Sequence, residues 1–417
     1  MGVSNLRDRL RRIKERGMPR DGFPAEGEER AFKAADFSGW ESAGCQTLRR
    51  QIIVDPLLAF PAEFPPALPV LIPDLGGAFL QPEADGRPVP EDLLFFDLET
   101  TGLSGGAGTL AFLAAFGRPL RLSASSRGGS IPQKRGKDRP FEGEDPLSPD
   151  CLLTGYKIQL TQYLLLDYPG ESDFLNALLG EFAAGGGLVV TYNGKTFDSQ
   201  ILKNRCLMNG LAPPEYAHAD LLYPARRLWK RILPNCSQGE IETSVLGLDR
   251  SGDIPGALAP DIWFGFLKTG TAPPLLGICE HNKKDILGLA AIFAVLAHIA
   301  SDPVGTRKRY NYDVENLAFR YRRNSRRCTG GKAAFCEPGE LLRTGEELLR
   351  LAAEQGYPGA LRALAVEAEW RLADFSLALE YTNRALALDA LRESLREDFT
   401  LRRKRLRGKI DKSAAGK

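Results

Sequence analysis

Four apolar residues, Leu93-Leu94-Phe95-Phe96, run directly into Asp97-Leu98-Glu99-Thr100-Thr101-Gly102-Leu103. A short continuous apolar run of this kind reads as a buried strand. Side chains alternate along a strand, so Asp97 and Glu99 project to the same side at its end. Two neighbouring carboxylates repel and raise each other's pKa. A cation between them removes that cost, and oxygen ligands of this type suit Mg²⁺ or Mn²⁺. Gly102 lets the backbone turn sharply after the strand. Thr100 and Thr101 bring hydroxyl and N–H groups beside the acids, where a substrate can meet them.

The surrounding pattern predicts an α/β domain. Strands are expected at Thr109–Phe116, Leu160–Leu166 and 187–191, and helices at Asp173–Ala184, Ser199–Met208 and Ile278–Ile299. Alternation of this kind implies one mixed sheet flanked by helices, its first strands an antiparallel meander. Residues 1–88 read as an adaptor, with a short basic helix near Leu6–Arg16 followed by proline-rich sequence. The α/β domain is expected over 89–305, interrupted by a flexible basic insertion over 123–149. A helical region over 306–417 ends in a basic tail. Within it, 360–388 reads as a helical hairpin. Ala378 and Ala385, seven apart, offer small residues on one face, and Ala373-Asp374 supplies the turn.

Two further segments carry candidate chemistry. Tyr192-Asn193-Gly194-Lys195-Thr196-Phe197-Asp198 follows an apolar strand and places Asp198 at a helix start. An acid there is also a common cap. Lys195 is a candidate phosphate contact, and Asn193 a residue that orients a ligand or the terminal sugar. His281 and Asp285, four apart at the head of the long helix, share one face. Histidine is the natural general base near neutral pH, and the chain has only three.

Bulk properties narrow the class. The chain has 417 residues, 43% of them hydrophobic and 26% charged, as expected of a soluble globular protein of more than one unit. Runs of about 18 or more apolar residues are missing, so a spanning helix is not expected. The seven cysteines form no C-x-x-C pair, which speaks against a zinc knuckle or a disulfide framework and fits a cytoplasmic protein. The net charge of +2 conceals two basic runs, Arg322/Arg323/Arg326/Arg327 and Arg402/Arg403/Lys404/Arg405/Arg407. Either reads as a polyanion contact or as a solvated face.

Taken in order, the three acidic segments resemble the DEDD 3′→5′ exonuclease superfamily. The match narrows with His218-Ala219-Asp220-Leu221-Leu222, Ala225-Arg226-Arg227-Leu228-Trp229, Cys236-Ser237 with Glu240 and Glu242, and Asp253-Ile254-Pro255-Gly256. With His281-Asn282-Lys283 and Asp285-Ile286-Leu287, these resemble the YprB family of ribonuclease H-like proteins over about residues 90–300. The helical C-terminal region is similar to that family's tetratricopeptide-like extension. The resemblance implies a ribonuclease H-like fold and 3′→5′ degradation of nucleic acid from a free 3′ end, DNA favoured over RNA, in DNA repair or nucleic-acid processing. It implies two divalent cations, Mg²⁺ or Mn²⁺, on Asp97, Glu99, Asp198 and Asp285, with His281 as base, and a working association with a helicase. The histidine subclass places its base one position farther from the last Asp than His281 stands. The spacing here is that of the tyrosine subclass, so the base role of His281 is open at this point. The other reading is a non-catalytic nucleic-acid-binding or scaffold protein that retains the fold.

Overall fold

The computed structural model describes residues 37–76, 88–102, 108–122, 155–185, 187–328 and 336–415. The expected helix near Leu6–Arg16 and the insertion over 123–149 lie outside them. The residues from Gly39 onward make up one contact unit.

That unit is built on a seven-stranded sheet in the order β1-β2-β5-β4-β3-β6-β7. The strands are β1 (Glu41–Gly44), β2 (Thr47–Val54), β3 (Leu93–Thr100), β4 (Ala111–Arg121), β5 (Tyr156–Leu165), β6 (Leu188–Thr191) and β7 (Ala217–Asp220). β3, β4 and β5 form the expected antiparallel meander, with Asp97 opposite Ala115 and Thr161 opposite Phe116. β6 and β7 then add in parallel, with Val190 beside Phe95 and Thr191 beside Asp220. The carboxyl ends of β3, β6 and β7 therefore share one rim, where ligands gather in sheets with parallel strands.

Two strands come from the region expected to be an adaptor. β2 pairs along its whole length with β5, from Thr47 opposite Leu165 to Val54 opposite Ile158. The sequence Thr-Leu-Arg-Arg-Gln-Ile-Ile-Val hides a strand because one face is largely solvated and carries charge. The proline-rich tract after it is core: Phe64, Leu68, Val70, Ile72 and Leu75 are almost completely buried. The sheet-bearing unit thus begins well before residue 89.

The helices of the α/β part are α1 (Glu171–Ala183), α2 (Asp198–Met208), α3 (Leu222–Trp229), α4 (Gln238–Ser244), α5 (Ala259–Thr269) and α6 (Ala272–Ser301). α6 is long and apolar enough to cross a membrane, yet 72% of its most apolar window is buried within this fold. It is the central core helix. Phe293 lies 5.3 Å from Phe64 and 6.1 Å from Phe95, ring to ring. Burying such a side chain contributes about 1.5–3 kcal/mol. Gly117 on β4 lets α6 come this close, because a Cβ there would strike Ile286.

After a four-residue helix at Arg307–Tyr310, five longer helices follow among the described residues: α7 (Val314–Cys328), α8 (Pro338–Glu354), α9 (Pro358–Trp370), α10 (Phe375–Leu386) and α11 (Glu393–Ala415). Each packs on the next. The expected hairpin is α9–α10. Its turn holds Ala373 at φ +53°, Asp374 caps α10 by accepting from Leu377 N–H at 2.9 Å, and Ala378 and Ala385 are fully buried. The helices are seated on the α/β part by backbone contacts. Asp313 N–H donates to the Leu228 carbonyl at 2.8 Å, and the Trp229 indole donates to the Tyr310 carbonyl at 3.0 Å.

Candidate active site

At the shared strand rim lies a pocket of about 230 Å³, lined by Asp97, Glu99, Thr100, Tyr192, Asn193, Asp198, His281 and Asp285 among others. Side chains far apart in the chain meet here for local reasons. Alternation on β3 turns Asp97 and Glu99 to the same side, with buried Leu98 between them. Asp198 is the first residue of α2 and is buried. α6 begins at Ala272, earlier than the sequence suggests, so His281 and Asp285 lie near its middle, and carboxylate oxygens of Glu99 and Asp285 and a His281 ring nitrogen all lie within 4.8 Å of one another.

The electrostatics are one-sided. Burial foremost, then the charges of Asp198, Asp285 and Glu99, drives the Asp97 carboxyl well above its ordinary range. Burial and the charges of Asp285 and Asp198 push Glu99 up to about 8. Burial pushes Asp198 up to about 7, against a hydrogen bond from the Leu98 N–H. Asp285 is also raised by burial, but His281 and Arg250 hold it back. Among the described residues, Asp97, Glu99 and Asp198 have no Lys or Arg ion-pair partner. Oxygen donors packed in this way, and short of cations of their own, match a divalent cation in charge and in chemistry.

Several partners that position these groups went unassigned in the sequence. Asn282 Nδ2 donates to Asp97 Oδ2 at 2.8 Å. Its own Oδ1 accepts from Gln162 Nε2 at 3.0 Å, and Gln162 Oε1 accepts from Arg50 Nη2 at 2.7 Å. One chain of hydrogen bonds therefore runs from β2 through β5 and α6 to the acid on β3. Arg250 bonds Asp285 Oδ1 at 2.6 Å and Asp253 Oδ2 at 2.8 Å, and reaches buried Glu242 at 2.5 Å. His281 faces Asp253 through Nδ1 at 3.0 Å and Asp285 through Nε2 at 3.2 Å. Asn282 and Asp253 stood in recognised motifs without a role. Arg250, Gln162 and Arg50 carried no local signal.

The remaining candidates divide. Thr100 and Asn193 line the pocket. Asn193 sits at φ +65°, and buried Asp220 fixes its loop by accepting from the N–H groups of Asn193 at 2.8 Å, Lys195 at 3.1 Å and Leu222 at 3.1 Å. Thr101 instead closes a turn, its hydroxyl accepting from Leu110 N–H at 2.9 Å. Lys195 is held away from the acids, with Nζ 2.8 Å from Asp74. Glu240 stays local: its N–H donates to the Ser237 hydroxyl at 3.2 Å.

Residues 151–297, which include Asp198, His281 and Asp285, match the RNase_H_2 family of the RNase_H superfamily. YprB of Bacillus subtilis (strain 168) is 34% identical over 205 residues, 48% of this chain and 41% of that protein. The chain thus spans less than half the length of this relative. The structure is also similar to the family B DNA polymerase of the hyperthermophilic archaeon Pyrobaculum calidifontis. That likeness has 16% identity and a TM-score of 0.32, and covers 57% of this chain and 30% of the polymerase. A superfamily domain of this kind supports nuclease-type activity. Residues 151–297 thus carry a ribonuclease H-like domain, in a chain that is similar to YprB over 205 residues.

Proposed function

We propose that the chain is a 3′→5′ exonuclease that hydrolyses phosphodiester bonds with two divalent cations, Mg²⁺ or Mn²⁺, held by Asp97, Glu99, Asp198 and Asp285. The observation that carries this reading is the convergence of four carboxylates, Asp198 buried and the others half-buried, from three chain segments on one pocket, three of them without a Lys or Arg ion-pair partner among the described residues. When bound, the cations supply charge neutralisation and Lewis acidity at the scissile phosphate.

The protein's own groups do the rest. Asp253 on Nδ1 orients the His281 ring, as a carboxylate commonly does for a catalytic imidazole. That leaves Nε2 on the pocket side, next to Asp285, to take a proton from the attacking water. The four-residue spacing to Asp285 is therefore compatible with a base role. The water oxygen bonds to phosphorus, the P–O3′ bond breaks, and a nucleoside 5′-monophosphate leaves a new 3′-hydroxyl. Asn282 holds one Asp97 oxygen and leaves the other facing the pocket. Thr100 and Asn193 lie where the terminal nucleotide enters.

The test uses a 5′-labelled DNA or RNA strand, single- or double-stranded, with Mg²⁺ or Mn²⁺. Shortening from a free 3′ end, blocked by a 3′-phosphate and by chelator, is expected, with DNA cut faster than RNA. His281→Ala should lower kcat by about 10²–10⁴-fold. Equal cutting of circular and linear strands would make it an endonuclease. Binding without turnover in either metal would leave the scaffold reading.

A further inference from the structure

Away from the strand rim, the helical region holds a groove of about 1050 Å³ between α7, α8 and α9. Its α7 wall contributes Arg322, Arg323, Arg326 and Arg327, spaced so that they recur on one side of the helix. Opposite stand Arg362 and Arg371, against two acids, Glu346 and Glu367. Those acids are engaged at the groove edge: Glu367 bonds Arg322 at 3.1 Å and Arg371, and Glu346 lies 3.7 Å from Arg371. Arg323 and Arg327 are exposed and make no ion pair among the described residues. The excess positive charge is felt nearby: burial foremost, then Arg227, Arg323 and Arg327, pushes Arg320 down to about 10.

Two aromatic rings break the polar surface of this groove. Trp370 is 68% exposed, with Lys409 Nζ over one face of its ring at 4.6 Å from the centroid, and Phe319 is 40% exposed, whereas Trp229 and Trp263 are completely buried. So exposed a tryptophan gains little from burial, and the ring face not covered by Lys409 is left to solvent. Arginines that neutralise phosphates, interleaved with open rings on which bases stack, are the parts of a single-strand platform. We propose that this groove binds single-stranded nucleic acid, its arginines on phosphates and Trp370 and Phe319 on bases. An acidic protein segment would satisfy the arginines but leave the rings without a matching partner. Single-strand binding therefore fits both halves of the surface.

The test is fluorescence anisotropy of fluorescein-labelled dT20 with the full chain in excess chelator, which reads binding whether or not the chain hydrolyses anything. The triple variant Arg323→Glu, Arg326→Glu and Arg327→Glu, all exposed and so tolerated by the fold, should bind at least about 30-fold more weakly at 50 mM salt. It should also flatten the slope of log K against log salt by about 2, since each phosphate contact contributes roughly 0.7 for a single strand. Trp370→Ala should weaken binding about tenfold and Trp370→Phe should restore it, the scale of one stacked base. A triple variant with unchanged circular dichroism that binds dT20 within twofold of the parent would overturn the proposal. So would poly-glutamate competing as well as unlabelled dT20, which would mark the groove as a dock for acidic protein.

Discussion

Two of the places where this molecule takes carboxylates out of water are built in opposite ways. Glu369 on α9 is 3% exposed. It is met by Arg402 at 2.8 Å, Arg405 at 2.7 Å and Lys409 at 3.0 Å, all from α11. Those cations, the Arg405 guanidinium foremost, hold its carboxyl down at about 2. The pocket at the strand rim gathers four buried or half-buried carboxylates and supplies Arg250 to one of them. There, Glu99 rises to about 8 and Asp198 to about 7. The first site is a closed joint that pins the last helix. The second holds more acids than cations among the described residues, and under the proposed function a divalent cation makes up the difference. A buried acid therefore says little about its purpose until its compensating charges are counted.

The largest expected effect is at the open site. Asp97→Asn should lower kcat by at least about 10³-fold, the scale of losing several kcal/mol of charge stabilisation. The same change should raise the melting temperature of the metal-free protein at pH 8, because it removes an acid whose charged form burial and its acidic neighbours disfavour. A melting temperature that falls instead would show that Asp97 holds the fold together, as Glu369 does, and the contrast would collapse.

At the closed joint the sign is reversed. Glu369→Ala should cost about 3–5 kcal/mol in urea unfolding at pH 7, since it leaves Arg402 buried without its partner. Nuclease turnover per folded molecule should not change. A loss under 1 kcal/mol would mean that α11 is held by apolar contacts, such as buried Phe399 and Leu406, without help from this ion cluster.

Stability against pH sharpens the comparison. Glu99 has its folded value raised from 4.5 to about 8. Its protonated form is favoured, so metal-free stability is full below about 4.5 and declines as pH rises towards 8. Glu369 has its value lowered from 4.5 to about 2. Its contribution is present above about 4.5 and fades as pH falls towards 2. Each limb should be on the order of 3–5 kcal/mol at most in calorimetric or denaturant titrations, the neutral one the larger. Saturating Mg²⁺ should flatten the neutral limb and leave the acid limb alone. A single limb that shifts with Mg²⁺ across the whole range would deny that the sites are independent.

How far all this could be read from sequence depends on how locally each feature is encoded. β3, β6 and the middle of α6 announce themselves, because an apolar run followed by acids, or an i,i+4 pair on a helix, is a short-range pattern. β7 was missed because Ala217-His218-Ala219-Asp220 has little strand propensity and is held by pairing with β6. β2 was missed because its two arginines break the alternation. Arg50, nevertheless, heads the hydrogen-bond chain that ends on Asp97. Of the two basic runs, the one at 402–407 partly resolves into the Glu369 joint, while the one at 322–327 lines an open groove. Nothing in either run's composition separates them. The difference lies in which neighbour the fold delivers.

The smallest expected effect concerns Lys195, a cation close in sequence to Asp198 that could have balanced the open site. Instead its Nζ lies 2.8 Å from Asp74, with both side chains about one-third exposed. Ion pairs at that exposure contribute about 0–1 kcal/mol. The Lys195 N–H already serves the loop by donating to Asp220 at 3.1 Å, and any side chain at this position keeps that bond. Lys195→Ala should therefore change unfolding free energy by less than about 1 kcal/mol and leave kcat/KM on a short end-labelled strand within about threefold. The second number is the decisive one. A loss of about 1.4 kcal/mol in transition-state binding is a tenfold loss in kcat/KM. A drop of that size at unchanged stability would mean that the lysine leaves Asp74 and reaches substrate phosphate. The open site would then carry a positive charge of its own, and its deficit of cations would be smaller than the four acids and one arginine imply. If Asp74→Ala also raised kcat/KM, the ion pair would be the element that restrains it.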